Sequence, residues 1–194
     1  MKLKELCQAA ALECPGSDAE TEISAIAMDS GRVTKGSLFV CIRGLHTDGH
    51  TYIGEAIAKG AVAVLCETGR EPAQIPTVYS DNPRRAAARL YNAFWGNPVA
   101  SLKFIGVTGT NGKTTVTHML RAILESSMYR TGLIGTVGCE SCGRHLAAQN
   151  RDPLANMTTP DPPDLYRMLR EMVDDGVEYV LMEVTSHALA LGKL

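Results

Sequence analysis

The sequence predicts an α/β protein with mostly parallel sheets: a small N-terminal α/β domain, then the first part of a phosphate-loop, Rossmann-like domain. Three observations predict it. Short apolar runs of strand length alternate with helical patterns along the whole chain. The pattern is interrupted at Gly96-Asn97-Pro98 and then restarts. After the restart, a glycine-rich turn lies between a strand and a helix, where a phosphate loop would sit. A length of 194 residues fits one large domain or two small ones. The interruption divides it into residues 1–98 and 99–194.

The elements follow in order. Leu3, Leu6, Cys7, Ala10 and Ala11 have the spacing of an amphipathic helix. Residues 37–42 and 62–66 read as strands, and 51–60 between them as a helix closed by Gly60. Asn82 to Trp95 reads as a helix, with Asp81 or Asn82 as N-cap and Pro83 in its first turn. Beyond the interruption, 102–107 reads as a buried strand, Lys113 to Ser127 as a helix, and 131–137 as a second strand. Residues 138–160 are loop-like with room for a small hairpin; Asp161 to Asp175 reads as a helix, and 178–183 as a third strand.

Composition narrows the function classes. The net charge is -2, from 19 basic and 21 acidic residues, so a sequence-independent attraction to nucleic acid is disfavoured. No stretch approaches the roughly 20 apolar residues that span a bilayer, and the N-terminus alternates charge with apolar residues, unlike a secretion signal. A cytoplasmic protein with reduced thiols is expected. Of six cysteines, Cys7, Cys41 and Cys66 lie in apolar runs and read as small core residues. Cys139 and Cys142 form a CxxC without the second pair that a structural zinc site usually has, and read as two free thiols on a surface hairpin.

The chemistry concentrates in Gly109-Thr110-Asn111-Gly112-Lys113-Thr114-Thr115. Glycines let the backbone turn tightly and approach phosphates. Exposed N–H groups and the helix N-terminus favour anions. In this arrangement Lys113 reaches the β- and γ-phosphates and the Thr114 hydroxyl binds Mg²⁺. The usual pattern, GxxxxGK[ST], has a glycine where this chain has Val107. Such a loop needs a carboxylate from a neighbouring strand end to complete the metal site. Glu183, closing the run Tyr179-Val180-Leu181-Met182, is the candidate.

The loop GTNGKTT resembles the ATP loop of the Mur ligases and the related folylpolyglutamate synthetases. Other segments resemble the Mur ligases that add the third residue of the stem peptide. These are Met28-Asp29-Ser30, Gly36-Ser37-Leu38-Phe39-Val40, Asp48-Gly49-His50-Thr51-Tyr52-Ile53, Thr158-Thr159-Pro160-Asp161-Pro162 and Met182-Glu183-Val184-Thr185-Ser186-His187. The resemblance implies an ATP-dependent amide-bond ligase. ATP phosphorylates the free carboxylate of UDP-N-acetylmuramoyl-L-alanyl-D-glutamate, and the amine of a diamino acid, meso-diaminopimelate or L-lysine, attacks the acyl phosphate. It implies uridine-side contacts at Ser30 and uracil and diphosphate contacts around Leu45-His46-Thr47. Thr158 and Thr159 would contact the sugar or peptide, with further substrate contacts at Thr185 and Lys193. Glu183 would be the Mg²⁺ glutamate.

The resemblance also implies that residues 99–194 are only part of the ATPase domain, and that the C-terminal domain is absent. A chain so built is expected to lack ligase activity alone and to self-associate through an exposed sheet edge. Two other readings remain: a folylpolyglutamate-synthetase-like ligase and a non-catalytic nucleotide-binding module. His46 and His50 lie in a polar loop, either solvated or in contact with ligand. His187 reads as structural or as a support to a neighbouring site residue, and His118 as packing or surface. Asp81-Asn82-Pro83-Arg84 reads as a helix start and not as a specificity loop.

Overall fold

The computed structural model describes the chain except residues 17, 18, 45, 46, 72, 148–157, 191, 193 and 194, and the side chain of His187. Two expected site residues, His46 and Lys193, therefore lie outside the described residues. The chain divides into two compact α/β units, Met1–Phe94 and Trp95–Leu194.

The first unit contains α1 (Leu3–Ala9), β1 (Ala25–Ala27), β2 (Ser37–Val40), α2 (Ile53–Ala58), β3 (Ala61–Glu67), β4 (Thr77–Ser80) and α3 (Pro83–Phe94). The four strands form one parallel sheet in the order β1-β2-β3-β4. Parallel strands are covered on both faces, and strand alternation shows how. Leu38, Val40, Ala63, Leu65 and Val78 pack against Leu3 and Leu6 of α1 and Leu90 of α3. Phe39, Cys41, Val64 and Cys66 point to the opposite face, with Ala56 of α2. The sequence does not announce β1 and β4, whose runs Ala25–Ala27 and Thr77–Ser80 hold few large apolar residues.

Local chemistry sets the element ends. The Arg85 N–H donates to Asn82 Oδ1 at 3.1 Å, so Asn82 and not Asp81 caps α3. The expected helix at 51–60 begins instead as a 3₁₀ turn, Gly49–Tyr52, capped by Asp48. Ala11, expected on the buried stripe of α1, is exposed and has φ 53, because the chain turns away there.

The second unit contains β5 (Lys103–Val107), α4 (Lys113–Ser126), β6 (Thr131–Gly135), β7 (Gly138–Ser141), β8 (Arg144–Leu146), α5 (Pro162–Asp174), β9 (Tyr179–Glu183) and α6 (Ser186–Ala190). Its sheet runs β5-β9-β6-β7-β8. The first three strands are parallel; β7 and β8 return antiparallel. The expected strand at 131–137 ends at Gly135, because Thr136-Val137 turns into β7.

Two expectations need correction. The strand β5 is not buried: Lys103, Phe104 and Gly106 are exposed. It is an edge strand of the described sheet, and its apolar letters carried no information about which face would be covered. Cys139 is not a surface thiol. Alternation along β7 turns Cys139 and Ser141 inward, and burial pushes the Cys139 thiol up to about 11. Cys142 alone is exposed, in a two-residue turn where it and Gly143 both have positive φ.

Candidate nucleotide and metal site

The site of the second unit begins with register. Val107 and Glu183 are partners at the carboxyl ends of the parallel strands β5 and β9. The loop leaving Val107 therefore starts beside the Glu183 side chain. Ligand crevices in parallel sheets form outside such strand ends. Val107, at the position where GxxxxGK[ST] has glycine, still belongs to the sheet. The turn is made by the next glycines: Gly109 has φ 144 and Gly112 has φ 78, values that favour glycine.

Gly112 is the N-cap of α4, and no side chain caps it. The first turn of this 14-residue helix thus opens its N–H groups toward the loop. Thr110, Asn111, Gly112 and Thr115 are exposed around it. Lys113 Nζ donates to the Gly109 carbonyl at 2.7 Å and to that of Thr110 at 3.4 Å. Its ammonium is thereby held over the loop that would cradle a phosphate.

Thr114, one residue further, faces the strand end. Its hydroxyl donates to Glu183 Oε1 at 3.0 Å. Glu183 is only 2% exposed. It also accepts from the Thr136 N–H at 3.2 Å and from the Thr136 hydroxyl at 2.9 Å. Among the described residues Glu183 has no ion pair with a basic side chain. A buried carboxylate ringed by hydroxyls, without a cation of its own, is a donor set of hard oxygens that suits Mg²⁺. Thr114 and Glu183 could hold such an ion together.

Thr136 was missed by the sequence reading. The available signal was its position: it follows the apolar run of β6, next to β9 in the sheet. Thr158 joins the cluster through a hydroxyl contact of 3.0 Å to Thr136. Thr159 is buried and donates to the Glu183 carbonyl at 3.0 Å, which fixes the end of β9. The Thr185 hydroxyl accepts the Ala188 N–H at 3.1 Å and so caps α6. Of Thr158, Thr159 and Thr185, only Thr158 joins the hydroxyl cluster around the Glu183 carboxylate.

In the first unit, Ser30 and Thr47 lie beyond the carboxyl ends of the neighbouring strands β1 and β2. Ser30 is half-buried and Thr47 exposed. The Ser30 carbonyl accepts from Lys59 Nζ at 3.1 Å. His50 is neither solvated nor loose, as a polar-loop reading allowed: its side chain is 8% exposed. Nδ1 lies 2.6 Å from Asp48 Oδ1, and Nε2 accepts the Glu67 N–H at 3.1 Å. That pattern requires the proton on Nδ1. The hydrogen bonds from His50 hold the Asp48 carboxyl down near 2. His118 is exposed on α4. Among the described residues no helix is long and apolar enough to cross a membrane.

Comparison with known proteins matches two segments to models of one family. Residues 107–194 match the Mur ligase middle domain, and 22–94 match the Mur ligase family catalytic domain. A UDP-N-acetylmuramoyl-L-alanyl-D-glutamate–2,6-diaminopimelate ligase of Geobacillus thermodenitrificans is 44% identical over 173 residues, 89% of this chain and 34% of that protein. The ligase of the same name from Listeria innocua is 40% identical over 194 residues, 100% of this chain and 38% of that protein. A solved structure of such a ligase superposes with a TM-score of 0.77 at 25% identity, covering 100% of this chain and 38% of that one. MurF from Acinetobacter baumannii shares the fold, with a TM-score of 0.60 at 24% identity over 95% of this chain and 36% of its own. The chain spans about a third of the length of the curated relatives it matches.

Proposed function

The chain belongs to the Mur ligase family, and from that premise we propose that it is the nucleotide-binding part of an ATP-dependent ligase of peptidoglycan precursor synthesis. The reaction joins a diamino acid to UDP-N-acetylmuramoyl-L-alanyl-D-glutamate; the named relatives use 2,6-diaminopimelate. The family and the length of separate α/β unit before the loop favour this over a folylpolyglutamate synthetase or a non-catalytic module. The reading places the protein in the cytoplasm, where the nucleotide substrates are.

A carboxylate is a poor acyl donor because its leaving group is poor. Its attack on the γ-phosphorus of ATP forms an acyl phosphate and releases ADP. The amine of the diamino acid then forms the amide bond and releases phosphate. In this reading Gly109, Thr110, Asn111, Gly112 and Thr115 shape the loop and helix start that receive the triphosphate. Lys113 turns from its loop carbonyls to the β- and γ-phosphates and offsets their charge. Thr114 and Glu183 hold Mg²⁺, which when bound neutralises charge on the transferring phosphoryl group. Thr136 orients Glu183. Ser30, His46 and Thr47 serve the nucleotide-sugar, and Thr158, Thr159, Thr185 and Lys193 serve the substrate side.

The observation that carries the proposal is the buried Glu183 carboxylate, held by Thr114 and Thr136 beside the phosphate loop. Calorimetric titration with ATP, with and without Mg²⁺, tests it. The unmodified chain is expected to bind ATP more tightly with Mg²⁺. Glu183→Gln is expected to retain metal-free binding and lose most of that gain. An unchanged Mg²⁺ dependence in the variant would overturn the assignment.

The edge strand supports a second, structural expectation. The outer edge of β5 pairs with no described strand. Phe104 on β5 is 39% exposed, and Met119 and Ile123 on α4 are 61% and 60% exposed. An open edge beside apolar side chains promotes association. In light scattering the mean mass of the chain should rise with concentration, and Phe104→Lys with Ile123→Lys should suppress the rise. A mass that stays monomeric at high concentration contradicts it.

A further inference from the structure

A cluster in the first unit plays no part in the ligase reading. Cys41 follows β2 and Cys66 lies in β3. The Cys41 N–H bonds to the Leu65 carbonyl at 2.9 Å, continuing the Val40–Leu65 register. The two thiols therefore stand side by side on one face of the sheet, both fully buried. His50 comes to the same place from the 3₁₀ turn before α2. One ligand atom from each of Cys41, His50 and Cys66 lies within 4.8 Å of the others.

We propose that Cys41, Cys66 and His50 form a binding site for a soft, thiophilic cation of the zinc class. Two thiolates and one imidazole are the donors such ions select. Bond lengths of about 2.3 Å to sulfur and 2.0 Å to nitrogen put tetrahedral donors roughly 3.5–3.8 Å apart, so the cluster needs to contract by about 1 Å at most.

Two further observations fit a built site. Asp48 accepts from His50 Nδ1 at 2.6 Å, the outer carboxylate that fixes tautomer and ring orientation in metal-bound histidines. That leaves Nε2, whose lone pair now accepts the Glu67 N–H next to Cys66; metal binding replaces that hydrogen bond. A cavity of about 190 Å³, lined in part by Ile42, Arg43, His50 and Glu67, reaches the histidine from the protein surface. A bound ion would tie the segment from Cys41 to Tyr52, which carries Thr47, to β3. The proposal stands on these residues and not on the ligase reading.

The test is titration of the reduced, chelator-treated chain with Cd²⁺, read by thiolate-to-metal charge-transfer absorption, and with Zn²⁺, read by thermal stability. One equivalent of Cd²⁺ should produce the band, and Zn²⁺ should raise the Tm of the unmodified chain more than that of Cys41→Ala. Cys41→Ala and Cys66→Ala should each remove the band. Asp48→Asn, which spares all three ligands, should weaken binding roughly 10–100-fold. A Cys139→Ser/Cys142→Ser variant should bind as the unmodified chain does. A band that disappears with Cys139 and Cys142, or unmodified chain that shows neither band nor Zn²⁺ stabilisation, would overturn the proposal. The last result needs no variant to fold.

Discussion

Lys113→Ala is expected to weaken ATP binding roughly 10–100-fold, the scale of one or two charge-assisted hydrogen bonds, while leaving the fold almost unchanged. The argument rests on what Lys113 does in the chain. Among the described residues its ammonium donates to carbonyls of its own loop, those of Gly109 and Thr110. No carboxylate pairs with it among the described residues. A lysine held over a glycine-rich turn at the start of a 14-residue helix contributes little to packing. Its favourable electrostatic partner would be an anion arriving from solvent. Calorimetry with ATP and ADP checks the binding, and circular dichroism checks the fold. Lys113→Arg should recover part of the affinity, because charge is kept while shape changes. Undiminished ATP affinity in Lys113→Ala would remove the phosphate loop from the proposed function, whatever the metal cluster does.

The contrast between Lys113 and Thr136 shows what sequence can carry. Lys113, Thr114 and the glycines occupy consecutive positions, and their spacing alone encodes a turn, a helix start and a cation. Glu183 was legible from its place at the end of an apolar run. Thr136 has no such local signal. Its role follows from β6 lying beside β9, a pairing between residues far apart in sequence. His50 was ambiguous for a related reason: the two groups that use its ring nitrogens, Asp48 and the Glu67 N–H, include one on a distant strand. The α/β class was legible because both sheets are built from apolar runs separated by helices. The antiparallel return of β7 and β8 and the exposure of β5 were not. Apolar letters report that a residue can be buried, and strand order decides whether it is.

Strand order also sets the second large effect, at Gly135. This glycine ends β6, and its φ is not positive, so alanine would fit the backbone. The obstacle is space. A Cβ at Gly135 would stand 2.4 Å from Glu183 Oε1, 2.9 Å from Cδ and 3.1 Å from Cγ. A flexible glutamate at a surface would swing away. Glu183 is buried and held by the Thr114 hydroxyl and both donors of Thr136, so moving it breaks those bonds as well. Gly135→Ala is expected to cost about 1–3 kcal/mol in overpacking, and to abolish the Mg²⁺-dependent gain in ATP affinity. Denaturant unfolding and calorimetry measure the two effects. The cause is isolated by a double-mutant cycle with Glu183→Ala. In that background the added methyl meets no carboxylate, and most of the stability loss should vanish. Gly106→Ala, whose Cβ would meet only Val184 Cγ2 at 3.4 Å, serves as a mild control in the same sheet. An equal loss from Gly135→Ala with and without the Glu183 side chain would mean that this glycine is required for some reason other than seating the carboxylate.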